Sequence, residues 1–184
     1  FMRTPASIKG HPLHVMVIPL PLGLWIFSWV ADLIYISGWG GETWRFVAFY
    51  TLSGGVVGAL LAAIPGYIDF RTLTDPHSQK IGMWHMTLNG TIVALFGVNV
   101  WIRAVDPTWE GAFVLSTLGV LLLGISGWLG GELVYKHGVG VDTRISGRNP
   151  RQQRRTAVGL VAEGRPVHPA LQPDRRAAAL PAEP

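Results

Sequence analysis

Apolar residues fill four long stretches of this chain, at positions 14–37, 46–70, 83–102 and 112–135, and polar residues gather in the short segments between them. Each stretch has the length of about 20 residues that an α-helix needs to cross the hydrocarbon core of a bilayer. The connections are too short to form a domain of their own. The pattern therefore predicts an all-α fold, an integral membrane four-helix bundle whose solvent is the lipid bilayer.

The composition changes after the fourth stretch. Residues 1–13 precede the first helix, residues 14–137 contain the four spans, and residues 138–184 form a basic tail rich in Arg, Gln, Pro and Ala. The tail has few large apolar residues to bury, so we expect it to be largely disordered. Its arginines favour contact with an anionic membrane surface.

The basic residues next to the spans predict the orientation, because Lys and Arg resist translocation. Seven of them lie in the three segments that a four-span chain keeps on one side: Arg3, Lys9, Arg71, Lys80, Lys136, Arg144 and Arg148. Only Arg45 and Arg103 fall on the opposite side. Both termini are therefore predicted to be cytoplasmic.

Composition removes several classes of function. The 184 residues include no cysteine, which excludes disulfides, thiolate metal sites and a cysteine nucleophile within this chain. The net charge is +4, but nine of the fifteen Lys and Arg lie from Lys136 onward, without interleaved aromatic residues. We therefore expect no nucleic-acid partner. No HExxH spacing indicates hydrolysis, so an independent enzyme is not the favoured interpretation.

Small residues and prolines predict how the helices pack. Span two has a stripe of small residues at every fourth position: Gly54, Gly58, Ala62 and Gly66. Span four repeats the pattern at Gly127 and Gly131. Such stripes allow a neighbouring helix to approach closely. Pro19 and Pro21 remove backbone donors within span one and predict a bend there.

Most ionisable and amide side chains near the spans belong to one end of the predicted bundle. The cytoplasmic ends of the spans carry His11, His14, Asp69, Arg71, Lys80, His85, Asn89, Glu132 and His137. Such side chains are unfavourable against lipid and should face the bundle interior or water. His85 and Asn89 share a helix face because they are four residues apart. The first helix is expected to begin at Pro12, which puts His14 in its first turn.

Other polar residues have simpler interpretations. His77 follows Asp75 and Pro76 and is predicted to be a turn residue. His137 is expected to cap the C-terminal end of the last helix, where cations are favoured, and His168 belongs to the tail. Asp32, near the opposite end of span one, is expected to pair with Arg45 or Arg103.

Three separated motifs occur in order along the chain. They are Gly-His-Pro-Leu-His ahead of the first span, Trp-His-Met-Thr-Leu-Asn at the start of the third, and Gly-Gly-Glu-Leu-Val-Tyr-Lys-His-Gly-Val-Gly-Val at residues 130–141. Together they resemble the bacterial DUF2231 family of predicted inner-membrane proteins, over roughly residues 8–142. The resemblance implies a multi-pass location in the bacterial inner (plasma) membrane. It also implies redox work, because some members look to be fused to Rieske-type iron–sulfur domains. His11, His14, His85 and Glu132 match polar positions of the family.

The leading functional prediction is a b-type haem protein that transfers electrons in the membrane. Spans one and three start on the same side and lie diagonally in an up-and-down bundle. His14 and His85 are therefore predicted as the two axial ligands of the haem. A redox partner would supply or accept the electrons.

The remaining cofactor-binding residues are predicted around this pair. Arg71 and Lys80 would meet the haem propionates. Asn89 or Glu132 would accept a hydrogen bond that fixes the tautomer of a ligating histidine. His11, just ahead of the first helix, completes the cofactor-binding set.

Two alternatives remain open on the sequence alone. One is a metal site for zinc, copper or iron at His14, His85 and Glu132, with His11 nearby. The other is a structural or accessory subunit of a larger membrane complex, in which carbonyl groups satisfy the histidines. A homo-oligomer is compatible with each interpretation.

Overall fold

Four long helices dominate the structure, a computed structural model that describes residues 5–9 and 11–140. The elements follow the order β1 (Ser7–Ile8), β2 (His11–Pro12), α1 (Leu13–Val17), α2 (Pro19–Ile36), α3 (Glu42–Phe70), α4 (Pro76–Val105) and α5 (Gly111–Tyr135). Leu13–Ile36 and the three later helices are each long and apolar enough to cross a membrane. The predicted four-span, all-α fold is confirmed. The predictions for Gly10, for His168 and for most of the tail lie outside the described residues.

The N-terminal segment forms a small antiparallel hairpin that leads into the first helix. Ser7 pairs with Pro12 and Ile8 pairs with His11. Pro12 therefore has extended backbone angles (φ −68°, ψ 119°), and the helix begins at Leu13. The prediction that the helix begins at Pro12 is wrong by one residue, because the hairpin holds that proline in a strand. The helix of span one is interrupted at Ile18, between α1 and Pro19, but Ile18 keeps helical backbone angles (φ −51°, ψ −38°), so the predicted bend stays a prediction.

A side-chain cap starts α4. The backbone N–H and the hydroxyl of Ser78 both donate to Asp75 Oδ2 at 2.8 Å, and Pro76 occupies the first turn, where its missing N–H is not needed. These bonds from Ser78, the backbone one first, hold the pKa of Asp75 below its ordinary value. Its carboxylate is therefore ionised at neutral pH.

The four spans form an up-and-down bundle. The helix α2 packs against α3 and α5, and α4 packs against the same two helices, so spans one and three lie diagonally as predicted. We call the end of the bundle where α1 and α4 begin the histidine end. The opposite end, where α2 and α4 finish, is the arginine end.

The two halves of the bundle repeat one another. Residues of α1 and α2 have counterparts 71 positions later on α4, and residues of α3 have counterparts 64 positions later on α5. Ser28 donates to the Ala48 carbonyl at 2.7 Å, and their counterparts Asn99 and Ala112 form the equivalent bond at 3.0 Å. The two helical hairpins are therefore related by an approximate two-fold axis along the bundle, which is a parallel internal repeat.

An aromatic pair fills the centre of the bundle at this axis. Trp25 and its counterpart Phe96 stack with ring centroids 4.6 Å apart, and both are buried. A Cβ atom on Gly55 would collide with the Trp25 ring, and one on Gly119, the counterpart of Gly55, would collide with the Phe96 ring. Two glycines thus make room for the two rings of the core.

The small-residue stripes have different roles in the two hairpins. On α3, a Cβ atom on Gly54 would lie 3.4 Å from Leu24 and one on Gly58 would lie 3.4 Å from Pro21, which agrees with the predicted close approach of span one. On α5, a Cβ atom on Gly127 would meet nothing within 4 Å among the described residues. The prediction that the span-four stripe packs against another helix is therefore wrong for Gly127.

Candidate functional site

His14 is held between α1 and α3. Its Nδ1 atom lies 2.8 Å from the carbonyl oxygen of Ala62. A Cβ atom on Gly66 would come within 2.6 Å of the same Nδ1. Only glycine at position 66 leaves space for the imidazole against α3.

His85 is held between α4 and α5 in the same way. Its Nδ1 atom lies 3.0 Å from the carbonyl oxygen of Ser126, and a Cβ atom on Gly130 would come within 3.1 Å of the ring. The pairs His14 and His85, Ala62 and Ser126, and Gly66 and Gly130 are all counterparts in the internal repeat. The two histidines therefore occupy equivalent places on either side of the two-fold axis.

These contacts decide the tautomer of both imidazoles. A carbonyl oxygen can only accept a hydrogen bond, so each Nδ1 must carry a proton and donate it. In the neutral rings the lone pair is then on Nε2. The two histidines also lie within electrostatic reach of each other. Each of the two neutral rings thus has Nε2 as its acceptor nitrogen.

Asn89 reinforces the α5 side of the site. Its Nδ2 atom donates to Ser126 Oγ at 2.7 Å and to the His85 carbonyl at 2.8 Å, and lies 3.2 Å from His85 Nε2. The amide has two hydrogens, and the two shorter contacts account for both. The Ser126 carbonyl, rather than Asn89 or Glu132, fixes the His85 tautomer.

Glu132 pairs with a lysine and not with the two histidines of the predicted metal site. It forms an ion pair with Lys136 at 2.9 Å, and the side chain of Lys136 is 68% exposed. Among residues 5–9 and 11–140, no group of three or more His, Asp or Glu side chains could hold a metal ion. The structure therefore does not bring Glu132 together with His14 and His85 as a metal site.

The predicted cationic residues lie at the surface of the histidine end. Arg71 and Lys80 are exposed and line a recess of about 480 Å³ between the end of α3 and the start of α4. Arg71 also donates to the Tyr67 hydroxyl at 3.2 Å. His11 is exposed on β2.

Asp69 has a structural task that the sequence did not reveal. The residue is 8% exposed, and its carboxylate accepts the Ala6 backbone N–H at 3.2 Å. The carboxylate also lies within electrostatic reach of His14. It fastens the N-terminal segment to α3 beside His14. The sequence signal was a carboxylate in the last turn of an otherwise apolar span.

A second polar cluster is buried at the arginine end. Arg103 donates to both carboxylate oxygens of Asp32, at 2.8 and 2.6 Å, and to Asn99 and Ser116. Of the two predicted partners of Asp32, the structure selects Arg103; Arg45 pairs with Glu42 instead. Asp32 and Arg103 are counterparts in the internal repeat, so this pair also lies at the two-fold axis.

The fold and the site define a class of protein: a four-span membrane protein built from two repeated hairpins, with a histidine pair at one end and a buried ion pair at the other. A family model described as "Predicted membrane protein (DUF2231)" matches residues 10–143. The chain belongs to the DUF2231 family. No curated protein and no solved structure matches it.

The close contact between the His14 ring and Gly66 predicts that Gly66→Ala destabilises the protein. The new methyl group would displace the imidazole and break its hydrogen bond to Ala62. We therefore expect the free energy of unfolding, measured in detergent, to fall by about 1–3 kcal/mol. On the same helix, Gly54→Ala adds a Cβ atom at an ordinary contact distance. It should be neutral or stabilising by up to about 1 kcal/mol. Equal stability of the two variants would contradict the proposed contact between His14 and Gly66.

Proposed function

We propose that this protein binds a b-type haem between His14 and His85 and transfers electrons in the membrane. The observation that carries the proposal is the matched setting of the two imidazoles, each with Nδ1 bonded to a carbonyl of the adjacent helix. Metal-ligating histidines nearly always have their second ring nitrogen held by such an acceptor. In this arrangement Nε2 would be the ligating atom on both rings.

The donor chemistry at the histidine end fits a haem iron. Two neutral imidazoles are a common pair of axial ligands, and these two belong to diagonal helices related by the two-fold axis. Asn89 Nδ2 lies 3.2 Å from His85 Nε2, so the amide would have to turn away from that atom for an iron to bind there. Gly66 and Gly130 let the two rings lie close against α3 and α5.

Other residues support the same function from the surface. A bound haem would supply a one-electron carrier, while the protein supplies its position and its surroundings. Arg71 and Lys80 are exposed cations at the same end of the bundle and would pair with propionate groups. The basic residues next to the spans favour a cytoplasmic histidine end in a bacterial inner membrane. A redox partner would then dock from the cytoplasm.

The proposal is tested by absorbance of the purified protein, with and without added haemin. We expect a Soret band and sharp α and β bands in the dithionite-reduced minus oxidised spectrum. His14→Gln and His85→Gln should each lose the six-coordinate low-spin spectrum, because each removes one axial imidazole, and the double variant should lose the Soret band. His77→Gln, which changes an exposed histidine at the same end, is the matched control and should keep the wild-type spectrum.

Two results would contradict the haem proposal. One is a wild-type protein that stays colourless after incubation with haemin. The other is an unchanged spectrum in both His14→Gln and His85→Gln. A colourless protein that co-purifies with larger membrane subunits would favour the role of an accessory subunit.

A further inference from the structure

Two histidines outside the proposed haem site meet at the surface of the histidine end. His77 lies in the first turn of α4, and His137 follows the C-terminal end of α5. Their ring centroids are 5.2 Å apart, with an angle of 44° between the ring planes. The sequence predicted a turn residue and a helix cap, sixty positions apart. The packing of α4 against α5 makes them neighbours.

The surroundings of this pair carry negative charge. Asp75 and Glu132 each lie within electrostatic reach of both His77 and His137. The carboxylate of Asp75 accepts two hydrogen bonds from Ser78, which favour its ionised form. Lys136 is the nearby cation, and its ion pair with Glu132 directs the ammonium group to that carboxylate.

We propose that His77 and His137 together bind a divalent transition-metal ion of the zinc or copper type at this surface. Imidazole nitrogens are preferred ligands of these ions. Two imidazoles that share a tetrahedral zinc ion, with Zn–N bonds of about 2.0–2.1 Å, have ring centres about 5 Å apart. The observed separation of the ring centroids, 5.2 Å, agrees with this value.

The ligand set makes the bound ion exchangeable. No third His, Asp or Glu completes a metal-binding group in the described part of the chain, so the protein supplies two nitrogens and water fills the remaining positions. The carboxylates of Asp75 and Glu132 stabilise the cation through space. The site is distinct from the haem site, since His77 precedes His85 by eight residues, about 12 Å along the helix.

The test is calorimetric titration of Zn²⁺ alone into the full chain at neutral pH, purified in detergent with a tag that contains no histidine. We expect one ion to bind per chain. His77→Gln and His137→Gln should each weaken binding by at least about tenfold, because even partners outside the ligand set typically contribute 10–100-fold. His11→Gln should bind as tightly as the wild type, and so should His85→Gln, which disrupts the haem site alone.

The spectrum of bound Co²⁺ gives a second readout of the same site. The d–d absorption of Co²⁺ should shift from that of the free aqua ion in the wild type and in His85→Gln, and this shift should be lost in His77→Gln and His137→Gln. Wild-type affinity in both of the latter variants would overturn the proposal. Loss of binding in His85→Gln but not in His77→Gln would also overturn it, because the ion would then occupy the proposed haem site.

Discussion

Asp32→Ala is expected to lower the free energy of unfolding by about 3–5 kcal/mol, because it leaves the Arg103 guanidinium buried without its counter-charge. The side chains of the two residues are only 6% and 8% exposed. Both oxygens of Asp32 accept from Arg103, so the substitution removes two charge-assisted hydrogen bonds at once. The measurement is reversible unfolding in detergent and SDS mixtures, followed by circular dichroism.

A double variant distinguishes the effect of an unpaired buried charge on stability from the effect of lost side-chain volume. Asp32→Leu combined with Arg103→Met removes both charges and keeps apolar bulk, so it should be far less destabilising than either charge deletion alone. Glu42→Ala is the matched control, because it breaks the Glu42–Arg45 pair, whose Glu42 side chain is 59% exposed. That change should matter by at most about 1 kcal/mol. Similar effects of Asp32→Ala and Glu42→Ala would show that the buried pair contributes no more than a surface pair.

Gly119→Ala is expected to destabilise the bundle by about 1–3 kcal/mol through overpacking. The added methyl group would run into the Phe96 ring, which has no exposed surface and is stacked on Trp25. Phe96 cannot turn aside without breaking this stack. The gain in helix propensity from glycine to alanine, up to about 1 kcal/mol, offsets only part of the effect.

The same helix provides the control for this prediction. A Cβ atom on Gly124 would meet nothing within 4 Å among the described residues, so Gly124→Ala should be neutral or slightly stabilising. Both variants are compared with the wild type by thermal unfolding in the same detergent. Equal stability of Gly119→Ala and Gly124→Ala would contradict the expected collision between a Cβ atom at position 119 and the Phe96 ring.

The buried ion pair and the histidine pair are linked by the internal repeat. His14, Trp25 and Asp32 on the first span have His85, Phe96 and Arg103 as counterparts on the third. Trp25 and Phe96 touch each other, and so do Asp32 and Arg103. Two of the three counterpart pairs are thus in contact along the axis, and the third supplies the imidazoles of the proposed haem site.

A sequence signal for this repeat was present and was missed. The spacing between His14 and Trp25 is eleven residues, and the same spacing separates His85 from Phe96, Gly55 from Gly66, and Gly119 from Gly130. Equal spacings of this kind indicate an internal repeat. It was hard to see because the two hairpins need different offsets, 71 and 64 positions, and because few of the matched residues are identical.

The sequence by itself determined the four spans, the family and the end of the bundle at which His14, His85 and Asn89 lie. These properties follow from the length of apolar runs and from residue types, because lipid tolerates neither charges nor unpaired backbone groups. His14, His85 and Asn89 were found for the same reason: a polar side chain in an apolar helix stands out in the sequence.

Only the tertiary structure decided which of these side chains meet. The partners of His14 and His85 are backbone carbonyls, which every residue carries, so no residue type could reveal them. Gly66, Gly119 and Gly130 look like ordinary packing residues until a ring from another helix lies over them. His77 and His137 become a pair, and Arg103 rather than Arg45 pairs with Asp32, through the relative rotation and depth of the helices. Those quantities depend on contacts between segments far apart in the chain, and a pattern read along a single helix does not contain them.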